Sequence, residues 1–163
     1  MKDRVRETLF DLLGTDVRGA VAIDLFAGTG ALAFEAISRG AAQAVVAERH
    51  FPTADALRRS ARALGVEARV DVRPGDVLLW AKRMPGLPAT GRWVAFVSPP
   101  WSFFADRWAD LAALVGAIMA AAPPGSVVVV ESDTSFDAAR LPEAAAWQAR
   151  DVPPAVLHFW RRP

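Results

Sequence analysis

The sequence predicts a three-layer α/β fold, a doubly wound, Rossmann-like sheet that is mostly parallel and ends in an antiparallel C-terminal hairpin. Three observations predict it. Short apolar runs alternate with helical stretches between residues 21 and 131. A glycine turn, Gly28-Thr29-Gly30, separates the first run from the helix behind it. After Glu131 the rhythm changes to two strand-like segments joined by Pro153-Pro154. Alternating strands and helices lay helices on both faces of a parallel sheet. The 163 residues are expected to form a single domain, 1–163, long enough to bury roughly 70% of the surface of the unfolded chain.

The elements follow in order. Residues 3–13 place Val5, Leu9, Leu12 and Leu13 at helical spacing, with Gly14 to end the helix. Strand 21–26 leads through the glycine turn into helix 31–39, which Gly40 terminates. The unit repeats as strand 43–48 and helix 53–64, strand 68–73 and an ill-defined helix or loop from Asp76, strand 93–98 and helix 103–122, and strand 126–131. Segments 145–152 and 155–161 complete seven strands as the closing hairpin. A strand covered on both faces is apolar throughout, whereas one that meets water alternates. The runs 21–26, 93–97 and 127–130 are therefore expected at the centre of the sheet, and the alternating Arg69-Val70-Asp71-Val72-Arg73 at an edge.

Composition excludes several classes of function. The chain is 53% hydrophobic and 23% charged, with dispersed Gly and Pro, so it is neither disordered nor fibrous. Its longest apolar run, 111–122, is far short of the ~20 residues of a membrane span. The charged N-terminus is unlike a signal peptide, which makes the cytoplasm the expected compartment. There is no Cys, hence no disulfide, thiolate zinc site or cysteine nucleophile. Tyr is also absent, His50 and His158 are the only histidines, and no G-x-S-x-G elbow is present. The net charge of +1 announces no nucleic-acid binder, although nearly all the cations are Arg, which pairs with phosphate through two donors.

Chemistry concentrates at the expected carboxyl ends of the strands. A glycine turn between strand and helix allows close backbone approach and directs N–H groups at a polar ligand. Gly28, Gly30 and Ala33 fit the dinucleotide spacing, and Glu48 lies where an acid accepts from a ribose; the bland alternative is a turn that only packs helix on sheet. Two further acids favour a different ligand. Asp24 lies within an apolar strand, where a carboxylate is costly unless a cation or donors meet it, and Asp76 ends the third strand beside Glu48. Together they supply acceptors for an ammonium, a ribose and an adenine amino group, all of which S-adenosylmethionine carries without a pyrophosphate. Singly, Asp24 could bond its own loop and Asp76 could start a helix.

The second motif is Ser98-Pro99-Pro100-Trp101, after the strand expected beside the first. Two prolines fix the loop and remove two N–H donors, leaving the carbonyls of Ser98 and Pro99 free to accept. An exocyclic amino group is a poor nucleophile because its lone pair is delocalised into the base. Accepting its N–H bonds at Ser98 Oγ and the Pro99 carbonyl would favour a pyramidal nitrogen, and Trp101 would stack on a base turned out of its helix. Such positioning needs neither a metal nor a strong base, and it supplies ~7–11 kcal/mol in well-oriented pairs. The alternative is a Pro-Pro turn that ends a strand and buries a Trp. Arg58, Arg59, Arg62, Arg69 and Arg73 form either a phosphate-binding face or a solvated helix surface.

These residues resemble the RsmD-type methyltransferases, which methylate guanine N2 in small-subunit ribosomal RNA. Residues 3–10, DRVRETLF, are similar to the helix that precedes the family's cofactor motif, and residues 24–41, DLFAGTGALAFEAISRGA, follow its cofactor loop and helix. The resemblance implies a seven-stranded methyltransferase sheet, S-adenosylmethionine as cofactor, and RNA, either small-subunit rRNA or an assembling ribosomal subunit, as partner. It implies that Asp24, Gly28 and Gly30 line the methionine part, Glu48 the ribose, Asp76 the adenine, and Ser98, Pro99, Pro100 and Trp101 the target base, with Phe26, Ala27 and Thr29 also binding the cofactor. The family's loop usually reads Asp-Pro-Pro followed by Tyr or Phe, whereas this chain has Ser98 and Trp101. Ala33 stands where Gly is usual, and the sequence as read starts at the first helix, so the family's basic N-terminal arm is not expected ahead of it. A small nicotinamide-dinucleotide oxidoreductase and a non-catalytic RNA-binding scaffold are the rival readings.

Overall fold

Seven apolar or alternating segments pair into one sheet. In the computed structural model, which describes residues 1–163, the strands are β1 (Val21–Asp24), β2 (Gln43–Glu48), β3 (Val70–Pro74), β4 (Trp93–Val97), β5 (Val127–Asp133), β6 (Trp147–Val152) and β7 (Ala155–Arg161). Their order is β3-β2-β1-β4-β5-β7-β6. The first five run parallel, and β7 lies antiparallel to both β5 and β6. The continuous apolar strands β1, β4 and β5 are central, and the alternating β3 is at an edge, as their chemistry predicts.

The helices are α1 (Asp3–Leu13), α2 (Ala31–Ser38), α3 (Phe51–Ala63), α4 (Phe103–Asp106) and α5 (Trp108–Ala121). The single helix expected over 103–122 is thus two, because Arg107 takes a non-helical backbone (φ −132°, ψ 26°) that turns the chain. The break allows Phe104 and Trp108 to stack at 6.1 Å, with Phe136 against both rings. The ill-defined stretch from Asp76 is a 3-10 helix, Val77–Ala81, which the Asp76 side chain caps by accepting from the Leu78 N–H at 3.0 Å.

Two apolar layers hold the sheet. On one face, Val5, Leu9 and Phe10 of α1 and Leu32, Ala33 and Ala36 of α2 meet Ala22, Val46, Phe96 and Val129. On the other, Leu111, Leu114 and Ile118 of α5 meet Ile23, Val45, Ala95 and Val128. Side chains alternate between faces along each strand, so register decides which polar residues share a face. Asp24 is paired with Val46 and Phe96, and Phe96 with Val129. One pleat further toward the carboxyl ends, Glu48, Ser98 and Glu131 therefore fall on the α1 and α2 face. No helix is long and apolar enough to cross a membrane.

Candidate active site

A cavity of about 650 Å3 opens at the carboxyl ends of β1, β2, β4 and β5, a size that suits a cofactor together with part of a second molecule. Phe26 and Gly28, Glu48 and Asp76, and Ser98, Pro99, Pro100 and Trp101 all line it. The glycine turn and the proline loop thus share one space, at the crevice where a doubly wound sheet binds its ligands.

Glu48 is fixed by the backbone around it. Its Oε2 accepts from the Gly28 N–H at 2.9 Å and its Oε1 from the His50 N–H at 2.8 Å. Its own carbonyl accepts from the Gly75 N–H at 2.9 Å, drawing the ends of β2 and β3 together. Each carboxylate oxygen keeps lone-pair capacity, so the group can still accept a pair of hydroxyls from the cavity. Asp76 accepts from the Leu78 N–H as a cap and also lines the cavity.

The two turn glycines divide the roles that the sequence assigned to both. At Gly28 (φ +54°) an added Cβ would meet nothing within 4 Å, which leaves the backbone open to a ligand. At Gly30 (φ +83°) it would meet Leu57 Cδ2 at 2.5 Å and Phe34 Cε2 at 2.6 Å. Gly30 is therefore a packing glycine at the start of α2, away from the cavity wall. Ala27 is likewise buried in the core and Thr29 is exposed outside the cavity. The turn lines the cavity through Leu25, Phe26 and Gly28, and not through the expected Ala27, Thr29 and Gly30.

Asp24 also stays off the wall. It is 1% exposed, its Oδ1 has no hydrogen-bond partner, and burial raises its pKa to about 7. The Phe26 and Ala33 N–H groups oppose that rise and the Glu48 carboxylate adds to it. The unmet acceptor of Asp24 lies one pleat below Glu48 and Ser98.

The Ser-Pro-Pro-Trp loop is stiff and accepting, as its prolines require. The carbonyls of Ser98 and Pro99 receive no backbone hydrogen bond, whereas those of Pro100 and Trp101 receive the Phe103 and Phe104 N–H groups that begin α4. Trp101 is partly buried between both apolar layers. Behind it Phe103 lines the cavity and meets Phe26 edge to face at 6.1 Å.

Three residues of this wall escape the motifs. Glu131, 4% exposed in β5, accepts the Ser98 hydroxyl through Oε2. Its only signal in the sequence is a carboxylate ending an apolar strand, the same signal as Asp24. Lys2 and Arg49 line the cavity as exposed cations without an ion pair. The arginines of the helix face look elsewhere: Arg58 pairs with Asp55, Arg62 with Glu67 and Arg73 with Asp71. His50 bonds Thr53 Oγ1 at the start of α3, and buried His158 bonds Ser132 Oγ, with desolvation lowering its pKa.

The family model described as Conserved hypothetical protein 95 matches residues 1–160. The chain belongs to this family. Ribosomal RNA small subunit methyltransferase D of Escherichia coli K12 is 38% identical over 100 residues, covering 61% of this chain and 48% of that protein. Its namesake in Buchnera aphidicola is 31% identical over 99 residues, covering 61% and 50%. The chain thus spans about half the length of the curated relatives it matches. Among solved structures, putative methyltransferase yhhF of Escherichia coli superposes with a TM-score of 0.78 at 25% identity, over 99% of this chain and 85% of that one. The Thermus thermophilus 16S rRNA N2 G1207 methyltransferase RsmC, in complex with AdoMet and guanosine, gives 0.79 at 22% identity, over 100% and 44%. The seven-stranded sheet of this family member is the fold those methyltransferases share.

Proposed function

We propose that this chain is an S-adenosylmethionine-dependent N-methyltransferase acting in the cytoplasm on an exocyclic amino group of RNA, guanine N2 of small-subunit (16S) rRNA. The observation that carries this reading is the shared cavity: acceptors suited to an adenosyl group and a stiff acceptor loop suited to an amino group face the same space. Curated relatives named for small-subunit rRNA methylation support it.

The residues fit the cofactor. Glu48 would hold the ribose hydroxyls and Asp76 the adenine amino group, while the open Gly28 backbone admits close approach. Asp24, whose Oδ1 is unmet and whose pKa burial raises to about 7, would favour a cation above the turn once it is ionised. When bound, S-adenosylmethionine supplies a methyl group on a positively charged sulfur. Ser98 and the Pro99 carbonyl would hold the amino group by its N–H bonds, and Trp101 would stack on the base, worth ~1–3 kcal/mol. Lys2 and Arg49, exposed cations that line the cavity, would attract a phosphate backbone there.

Methyl-label transfer into unmodified small-subunit rRNA or subunits, followed by nucleoside analysis, tests the reading. Label at guanine N2 is expected. Cofactor bound without transfer to any nucleic acid would favour a scaffold, and binding of NAD without S-adenosylmethionine would favour an oxidoreductase.

A further inference from the structure

Glu131 brings a third carboxylate to the cavity beside Glu48 and Asp76, and its contact defines what Ser98 can do. It lies beside Ser98 because Val97 is paired with Val130, so the next residues of β4 and β5 are neighbours. It is 4% exposed, and the Ser98 hydroxyl is its one side-chain hydrogen-bond donor. A carboxylate so enclosed is costly without donors, which makes the Ser98 proton its natural partner. A serine hydroxyl has a single proton and two lone pairs. With the proton committed to Glu131, Ser98 Oγ turns only lone pairs toward the cavity.

We propose that Glu131 is a positioning residue that makes Ser98 an obligate acceptor, so that the site selects an N–H donor at the target and rejects a carbonyl or bare ring nitrogen there. This rests on the methyltransferase reading and adds to it the element that reads the amino group. It also supplies a route for the surplus proton. As the nitrogen lone pair forms the N–CH3 bond, the S–CH3 bond breaks, its electron pair stays on sulfur, and the nitrogen is left positive with both its protons. One of them passes to Ser98 Oγ while the Ser98 proton moves to Glu131, and the carboxyl returns it to water in the open cavity. Base and protein then regain their starting charges.

The polarity of the pair can be inverted by mutation. In Glu131→Gln the new amide can donate to Ser98, freeing its hydroxyl to rotate. In the double variant Ser98→Asp with Glu131→Gln, the amide donates to a carboxylate that is again acceptor-only. Ser98→Asp alone sets two carboxylates side by side. Calorimetry with S-adenosylhomocysteine present compares guanosine with inosine, which lacks the amino group, and methyl transfer into unmodified rRNA is followed in parallel. The wild type should bind guanosine about 10-fold more tightly than inosine, the worth of one or two net hydrogen bonds. Glu131→Gln should bring that ratio close to one and lower kcat by about 10²-fold, with S-adenosylhomocysteine affinity unchanged. The double variant should regain the ratio and most of kcat, and Ser98→Asp alone should not.

A Glu131→Gln protein that keeps both ratio and kcat overturns the proposal, as does a double variant no better than Glu131→Gln. If the wild type discriminates the nucleosides but transfers no label, the function falls and the polarity of the pair stands. If it transfers label and Glu131→Gln is equally active, the reverse holds.

Discussion

The Gly28 N–H donates to Glu48 Oε2 at 2.9 Å, tying the glycine turn after β1 to the end of β2. With the His50 N–H on its other oxygen at 2.8 Å, this carboxylate is held in place by backbone donors before any ligand arrives, so its ordering cost is met on folding. Glu48→Ala should weaken S-adenosylmethionine binding about 10- to 100-fold, the worth of charge-assisted hydrogen bonds. Glu48→Gln should fall between the two, because its NH2 group must confront one of the backbone N–H donors. Titration calorimetry measures both, and unchanged affinity in the alanine variant would remove Glu48 from the site.

Trp101 is expected to act on the other half of the reaction. Trp101→Ala should lower kcat about 10- to 100-fold, the loss of one stacked base, while leaving cofactor affinity within about twofold. Because the ring also packs against both apolar layers, the alanine variant should lose stability as well. Trp101→Phe separates the effects: it keeps a stacking face, so it should recover most of kcat even where its Tm stays low.

The sequence is legible where one local rule acts alone. Short, largely apolar runs place β1, β4 and β5 at the centre, and the proline pair fixes an accepting loop whatever surrounds it. It is less legible where a residue's role depends on a distant neighbour. Gly28 and Gly30 read alike in sequence, yet Leu57 of α3 makes one a packing residue and leaves the other facing the cavity. Glu131 becomes a site residue only through the register of β5 on β4. Nothing local in residues 103–122 marks the turn at Arg107, which accompanies packing of Phe104 and Trp108 on the distant Phe136.

That difference between the glycines yields a paired prediction. Gly30→Ala must strain a positive φ and push against buried Leu57, costing roughly 2–4 kcal/mol from left-handed backbone and overpacking together. Gly28→Ala meets open space and bears the backbone strain alone, roughly 1–2 kcal/mol. Denaturant unfolding should therefore rank Gly30→Ala as the less stable, whereas titration calorimetry should find the larger loss of cofactor affinity per unit of lost stability in Gly28→Ala. The reverse ranking would mean that Gly30, and not Gly28, approaches the ligand.

Asp24 makes stability depend on pH in a direction opposite to that of a salt-bridged acid. Its pKa is raised from 3.8 to about 7, chiefly by burial, so between those values the folded state holds a proton that the unfolded state has released. Stability therefore falls as pH rises through this window, and the penalty is complete above pH 7. The shift sets a ceiling of about 4 kcal/mol. Asp24→Asn removes the titration while keeping the shape, so in the absence of ligand its Tm should exceed that of the wild type by several degrees at pH 8 and by little at pH 4. The same variant should bind S-adenosylmethionine more weakly at pH 8, since the buried charge that costs stability is the one that favours a cation above the turn. A Tm difference that is the same at both pH values would show that Asp24 does not titrate between them, and the buried carboxyl would then have no electrostatic part in holding the cofactor.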